Sequence, residues 1–215
     1  MRTGIGVVAL AAAAVVATGP GAAASATART WTVSPGPIDE PPAVARSSTP
    51  RGTSGGVFSG DTNSCESSRM SGTLKAGSGL SGTGIGSFTT AVYSLCQAGP
   101  FPGKVTAGGL PWRLNLTSYN RSTGVAQGTI SHLQINFVPS AFQCTAAVKA
   151  TSGTTPDGVA PVSYTSRTGV LKILTTGGDL HFYHVRKCAG IINNGDAAAL
   201  SASFTISPRQ VITSP

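Results

Sequence analysis

The chain has 215 residues, 15 Lys+Arg against 7 Asp+Glu, a formal net charge of +8, and only 10% charged residues. Seven carboxylates spread over that length offer little for the facing acids of a glycosidase or the oxygen cage of a calcium site. The length suits one domain with a real core.

Residues 1–28 read as a secretory signal peptide. Arg2 supplies the positive start, Val7 to Ala17 the apolar run, and Gly19-Pro20 the break. The A-x-A matches Ala24-Ser25-Ala26 and Ala26-Thr27-Ala28 place cleavage after Ala26 or Ala28. A membrane span needs about 18–20 apolar residues, so this run is too short, and nothing later is apolar enough to span. Arg2 has no second Arg beside it, which favours the general export route over the twin-arginine one. Arg2 is the only charged residue that cleavage removes, so the mature chain keeps a net charge of +7.

Residues 29–60 are expected to hold an N-terminal strand, Trp31-Thr32-Val33-Ser34-Pro35, and a Pro/Ser/Gly-rich linker. Pro35, Pro37, Pro41, Pro42 and Pro50 argue that this linker builds neither ladder nor helix. Within it Gly52-Thr53-Ser54-Gly55-Gly56 fits G-x-S-x-G, but no helix follows to make a nucleophile elbow.

Residues 61–215 are expected to form an all-β domain. Gly77-Ser78-Gly79-Leu80-Ser81-Gly82 spells the dinucleotide fingerprint G-x-G-x-x-G, yet a strand pattern, Phe88 to Tyr93, follows it instead of a helix. No Asp or Glu occurs from Ser67 to Pro156 to hold a ribose. The glycines therefore read as a β-edge or tight turns. Strand candidates follow at Phe88 to Leu95, Val105 to Ala107, Trp112 to Tyr119, Val125 to Phe137, Ala146 to Ala150, Val159 to Tyr164, Val170 to Leu174, Leu180 to Val185 and Ala198 to Ile206. A change of apolar phase predicts a bulge at Gly128.

Ser118-Tyr119-Asn120-Arg121-Ser122-Thr123-Gly124-Val125 recurs as Ser163-Tyr164-Thr165-Ser166-Arg167-Thr168-Gly169-Val170. Each copy is a strand ending at Tyr, a polar turn closing at Gly, and a strand opening at Val, which predicts two similar hairpins. Phe204-Thr205-Ile206-Ser207-Pro208 echoes the segment at Trp31, and both are expected in one sheet system.

Cys65, Cys96, Cys144 and Cys188 make an even count in an exported chain, which reads as two disulfides, and no C-x-x-C supports zinc. Three pairings are open. The neighbours Cys65–Cys96 and Cys144–Cys188 are favoured, each loop contributing roughly 3.5–4 kcal/mol on the chain-entropy model. The fold class is all-β: an antiparallel β-sandwich or barrel-like domain with two disulfides. The Cys-Trp-Cys order of an immunoglobulin domain is absent, since Trp112 follows Cys96.

His181 and His184 are three apart on a strand and face opposite ways, which makes them poor partners for one metal. Asp179 and His181 are two apart and can share a face, the beginning of an Asp–His–hydroxyl arrangement. The acid-free stretch carries Arg69, Lys75, Lys104, Arg113, Arg121 and Lys149. These cations suit weak attraction to anionic cell-envelope polymers. They are too scattered, and too poor in interleaved aromatics, for specific nucleic-acid recognition.

The stretches SGTLKAGSGLSGTGIGSFTT, GLPWRLNLTSYNRSTGVAQGTI, GGDLHFYHVRKCAGIINNGDAA and FTISPRQVITSP resemble segments of secreted, β-rich actinobacterial proteins of uncharacterised function. The resemblance implies export and a shared β-fold, and it supplies no catalytic residue. The expectation is an exported, non-enzymatic β-domain, extracellular or wall-associated, that needs no cofactor or metal and binds or builds at or near the cell envelope. The alternative is a secreted hydrolase using Asp179 and His181 with a Ser or Thr still to be placed.

Overall fold

The computed structural model describes residues 29–35, 44–48, 63–98, 101–139, 143–150, 157–174, 178–188, 190 and 192–215. The signal-peptide reading, with Ala26 and Ala28, and the G-x-S-x-G match at residues 52–56 lie outside them.

The described residues form fourteen strands and no helix: β1 (Thr30–Pro35), β2 (Val44–Ser48), β3 (Asn63–Leu74), β4 (Gly77–Ser81), β5 (Gly86–Ala98), β6 (Phe101–Gly108), β7 (Trp112–Asn120), β8 (Val125–Pro139), β9 (Thr145–Lys149), β10 (Gly158–Thr165), β11 (Val170–Ile173), β12 (His181–Arg186), β13 (Ala202–Ser207) and β14 (Gln210–Thr213). Every pairing is antiparallel. The pairings β3–β5–β7–β8–β10–β11–β13–β2 return to β3 and so close a circuit. Closure leaves the strands of the circuit without an open edge, the kind that would invite another chain to pair, while β12 remains as the outer strand of the large sheet. β6 bridges the second halves of β5 and β8, and β9 and β12 continue outward from β8. The all-β, barrel-like class is as expected.

Alternation of side chains fills this circuit. Gly158, Ala160, Val162 and Tyr164 of β10 point inward, as do Trp112, Leu114 and Leu116 of β7. On β8 the buried set is Ala126 and Ile130, then Leu133, Ile135 and Phe137. The step in phase falls at His132, whose φ is 63°. That corrects the bulge expected at Gly128. The register slip opposite Gly128 belongs to β7, between Leu116 and Ser118. Gly128 itself serves close approach, since a β-carbon there would lie 1.8 Å from the Asn115 carbonyl oxygen.

Two expectations for the N-terminal part are also corrected. The Pro-rich stretch does build a ladder: β2 lies in the proline-free interval between Pro42 and Pro50 and joins β13 to β3. The segments at Trp31 and Phe204 are both strands, but in different sheets. β1 pairs with β14 and β4 in a small three-stranded sheet, while β13 belongs to the large one.

The repeated octapeptide makes the two hairpins predicted for it, β7–β8 and β10–β11. Gly124 and Gly169 each close the turn at φ 69° and donate N–H to Asn120 and Thr165 carbonyls at 2.8 Å. Because β8 pairs β10, the hairpins stand side by side, and Ser166 N–H donates to the Gly124 carbonyl across the two turns at 3.2 Å.

The tyrosine of each copy anchors the small sheet. Tyr119 meets the buried Trp31 of β1 edge to face, ring centroids 6.4 Å apart. The buried Tyr164 hydroxyl donates to the Gln210 carbonyl at 2.7 Å and accepts from the Gln210 N–H at 3.1 Å. Two residues on, Ser166 Oγ repeats the arrangement with the Ile212 carbonyl and N–H at 2.9 and 3.0 Å. Side-chain hydroxyls thus satisfy the edge of β14 turned away from β1.

Both favoured disulfides are formed. Cys65 and Cys96 are directly opposed on β3 and β5, and Cys144–Cys188 joins the ends of β9 and β12. They span 31 and 44 residues.

Candidate functional site

The glycine motif resolves first. Gly77–Ser81 is β4, an exposed strand of the small sheet paired with β1. Gly82 packs so closely on β7 that a β-carbon there would lie 2.1 Å from the Leu116 carbonyl oxygen. Leu116 N–H donates to the Gly82 carbonyl at 2.9 Å. No helix follows Gly82, so no helix N-terminus exists there to receive a phosphate.

Asp179 and His181 do come together, with His181 Nε2 3.4 Å from Asp179 Oδ1. The imidazole stands at the edge of a 460 Å³ cleft walled by Ala160, Pro161, Leu180, Ala198 and Leu200. His181 Nδ1 donates to the Gly195 carbonyl at 3.0 Å, since a carbonyl can only accept. Nδ1 is thus held by a carbonyl, and Nε2 faces the Asp179 carboxylate, which it bonds when the ring carries both protons. A general base in a hydroxyl-activating pair needs one nitrogen on the acid and the other on the nucleophile. Among the described residues the cleft lining contains no Ser, Thr or Cys. The contacts of His181 tie β12 to the loop before β13, alongside Phe182 N–H to Asp196 O at 2.9 Å and Gly195 N–H to Phe182 O at 2.7 Å.

The other histidines serve separate contacts. His132 Nε2 lies 3.8 Å from Asp157 Oδ1, both exposed, and His184 Nε2 lies 3.4 Å from Lys149 Nζ. His184 has φ 54° at a register shift of β12. No group of three His, Cys, Asp or Glu side chains able to hold a metal occurs among the described residues. Asp196 Oδ2 is used within its own loop, accepting from Asn193 N–H at 2.7 Å.

The described carboxylates keep clear of one end of the barrel. β8 runs from the hairpin turns at Val125 to the far end at Pro139. Of the four described carboxylates Glu66 lies at the far end, and Asp157, Asp179 and Asp196 lie level with the middle of β8. Glu66 follows Cys65, which faces Cys96 and, through it, Gly103 and Pro139; Asp157 precedes Gly158, which faces Leu133. Asp179 bridges to Val159, and Asp196 bonds Phe182, which faces Val148 and then Ile135. The turn end carries Arg121, Arg167 and Arg209 and no described carboxylate, whereas Lys104, Arg186 and Lys187 share the far end with Glu66. Arg209 Nη1 donates to the Arg167 carbonyl at 2.9 Å, holding these two cations on one corner.

Beside them a 640 Å³ groove opens along the first hairpin, lined by Ser118, Tyr119, Asn120, Arg121, Thr123 and Gln127. Residue-by-residue inspection of the sequence passes over this groove. Its one legible signal is the repeated octapeptide, which carries an Arg in the turn of each copy.

Fold and chemistry together define a disulfide-bonded, antiparallel all-β protein with a cationic end. No protein-family model, curated protein or solved structure matches the chain.

Proposed function

We propose that the chain is exported and acts outside the cytoplasm as a non-enzymatic binding or structural domain at or near the cell envelope. The observation that carries this reading is that the cleft at His181 has no Ser, Thr or Cys among its described lining residues, while Asp179 and the Gly195 carbonyl hold the imidazole as a structural contact. The two disulfides support an oxidising compartment, and the sequence of residues 1–28 supports export to it. The three arginines of the turn end support attraction to anionic envelope polymers, with no cofactor and no specific nucleic acid required. Expressed in its host, the protein is expected in the extracellular or wall fraction with a new N-terminus at Thr27 or Arg29. Washed cell envelopes should retain it at low salt and release it as salt rises. Recovery of the uncleaved chain from the cytoplasm would refute the reading.

The second reading, a secreted hydrolase, rests on the 3.4 Å Asp179–His181 contact. A fluorophosphonate probe that labels the wild-type protein and not His181→Ala would establish it and displace the first.

A further inference from the structure

We infer that the groove along the β7–β8 hairpin is a binding site for an anionic saccharide, a sugar ring bearing phosphate or carboxylate. The inference rests on the binding reading above and gives it a place and a ligand class.

The polarity of the groove is set by which side-chain atoms are already used. Asn120 Oδ1 accepts from Ser122 N–H, Ser122 Oγ–H and Thr123 N–H at 3.0, 2.8 and 3.2 Å, which shapes the turn and exhausts the oxygen. Gln127 Oε1 accepts from Ser118 Oγ at 3.3 Å. Both amides keep their NH2 groups without a partner among the described residues. Arg121, exposed on the turn, adds five N–H donors in a planar fork. The wall is thus rich in donors and holds no carboxylate. A ligand that matches it offers acceptors and negative charge.

Size and surroundings agree. The volume of 640 Å³ falls inside the range of about 300–1,000 Å³ for small-ligand sites. Tyr119, half-buried and packed T-shaped with Trp31, is among the lining residues and brings aromatic surface to the groove for the C–H groups of a sugar. Arg167 and Arg209 on the adjoining turn extend the positive field. The nearest described acid by register is Asp179: it bridges Val159, which lies between the partners of Leu133 and Ile130, so it stands opposite the part of β8 six to seven residues from Val125. At ~3.3 Å per residue that is about 20 Å, more than twice the ~8 Å screening length of physiological salt. That distance leaves the cations of the turn end unopposed. A nucleic acid fits less well, since a single tyrosine gives no row of stacking platforms.

The test uses the mature, disulfide-bonded protein and direct titration with an oligogalacturonate, glucose 1-phosphate, a neutral oligosaccharide of equal length, inorganic phosphate and a single-stranded oligonucleotide. The oligogalacturonate or the sugar phosphate should bind, the neutral sugar at least tenfold more weakly. Which anionic sugar binds better separates a carboxylated from a phosphorylated ligand. Arg121→Ala should weaken binding about tenfold and Gln127→Ala several-fold, with Arg121→Lys intermediate. Arg186→Ala at the far end should leave it unchanged. Equal losses in Arg121→Ala and Arg186→Ala would mean diffuse charge and overturn the site, as would tighter binding of the oligonucleotide, of inorganic phosphate alone, or of no probe at millimolar concentration. Retention of Arg121→Ala on envelopes at wild-type strength would sink this groove while sparing the envelope reading. Saccharide binding without envelope retention would do the reverse.

Discussion

Replacing Tyr164 by Phe isolates the link between the small sheet and the barrel. The ring keeps its packing in the core, and only the hydroxyl is lost. That hydroxyl is the partner of both the N–H and the C=O of Gln210, a residue only 6% exposed. A buried polar group stripped of its partner costs about 1–3 kcal/mol, and two are stripped here. Some recovery through shifts of the short β14 is expected, which puts the loss at about 2–4 kcal/mol. For a chain of this size that lowers the melting temperature by roughly 5–15 °C. Urea unfolding of the oxidised protein followed by circular dichroism measures it, with an unchanged slope confirming that only stability moved. Tyr119→Phe is the control: it keeps the ring edge on Trp31 and should cost under about 0.5 kcal/mol. A Tyr164→Phe variant as stable as the control would refute the argument that hydroxyls secure the edge of β14.

Alkaline pH should destabilise the fold through the same group. Burial raises the Tyr164 phenol above its usual value, against smaller opposing pulls from the Gln210 hydrogen bond and the Arg209 charge, and burial raises Tyr93 further. A phenol with a raised folded pKa contributes stability that is whole below about pH 10 and is lost above it, as the unfolded chain ionises first. Denaturant midpoints should be flat up to about pH 10 on this account and fall beyond it, less steeply in Tyr164→Phe. Gly128→Ala should cost about 3 kcal/mol or more, because its β-carbon meets rigid Asn115 backbone; thermal unfolding within 1 kcal/mol of wild type would contradict the close approach. Gly124→Ala and Gly169→Ala share φ 69°, so each carries a left-handed penalty of about 1–2 kcal/mol. Gly169→Ala should cost more, since its β-carbon crowds Arg209 Cγ and the Ile206 carbonyl at 3.1 and 3.2 Å while Gly124 faces open space. Removing Cys65–Cys96 or Cys144–Cys188 by paired Ala substitution should each cost about 3.5–4 kcal/mol in chemical denaturation. Losses below 1 kcal/mol would show that the closed circuit needs no covalent support.

Strands with apolar residues at every second position were legible. β7, β8, β10, β11 and β12 lie within a few residues of the segments read from alternation, and the repeated octapeptide located both hairpin turns. β3 was not legible, for a physical reason. Of its residues 65–74, whose burial is described, only Met70 and Gly72 are buried, and at Gly72 a β-carbon would come within 2.0 Å of the Ser87 carbonyl. Backbone contact in place of side-chain packing leaves no apolar period to read. β2 hid among prolines, and β14 is four residues whose outer edge is completed by Tyr164 and Ser166, 46 positions away. At the candidate sites, the Asp179–His181 contact was readable from a separation of two. The Gly195 carbonyl that occupies the other nitrogen was not, because it arrives from a loop with no pattern of its own.

The two ends of the barrel are secured by different means, and the difference bears on where a ligand can bind. Both disulfides lie at the far end, beside the ends of β8 and β9 near Pro139, with Glu66 next to Cys65 and the other described carboxylates level with the middle of β8. The turn end has no covalent link. It is held by two glycine-closed turns bonded to each other and by the hydroxyls of Tyr164 and Ser166. Those fastenings use carbonyls, hydroxyls and one amide oxygen as acceptors, and no carboxylate. The backbone at Arg121 stands on a turn that Asn120 Oδ1 and the Gly124 N–H hold in shape before any ligand arrives. Preorganisation of that kind reduces the entropy lost on binding. Fastening the end without carboxylates is what suits it to the anionic saccharide proposed above.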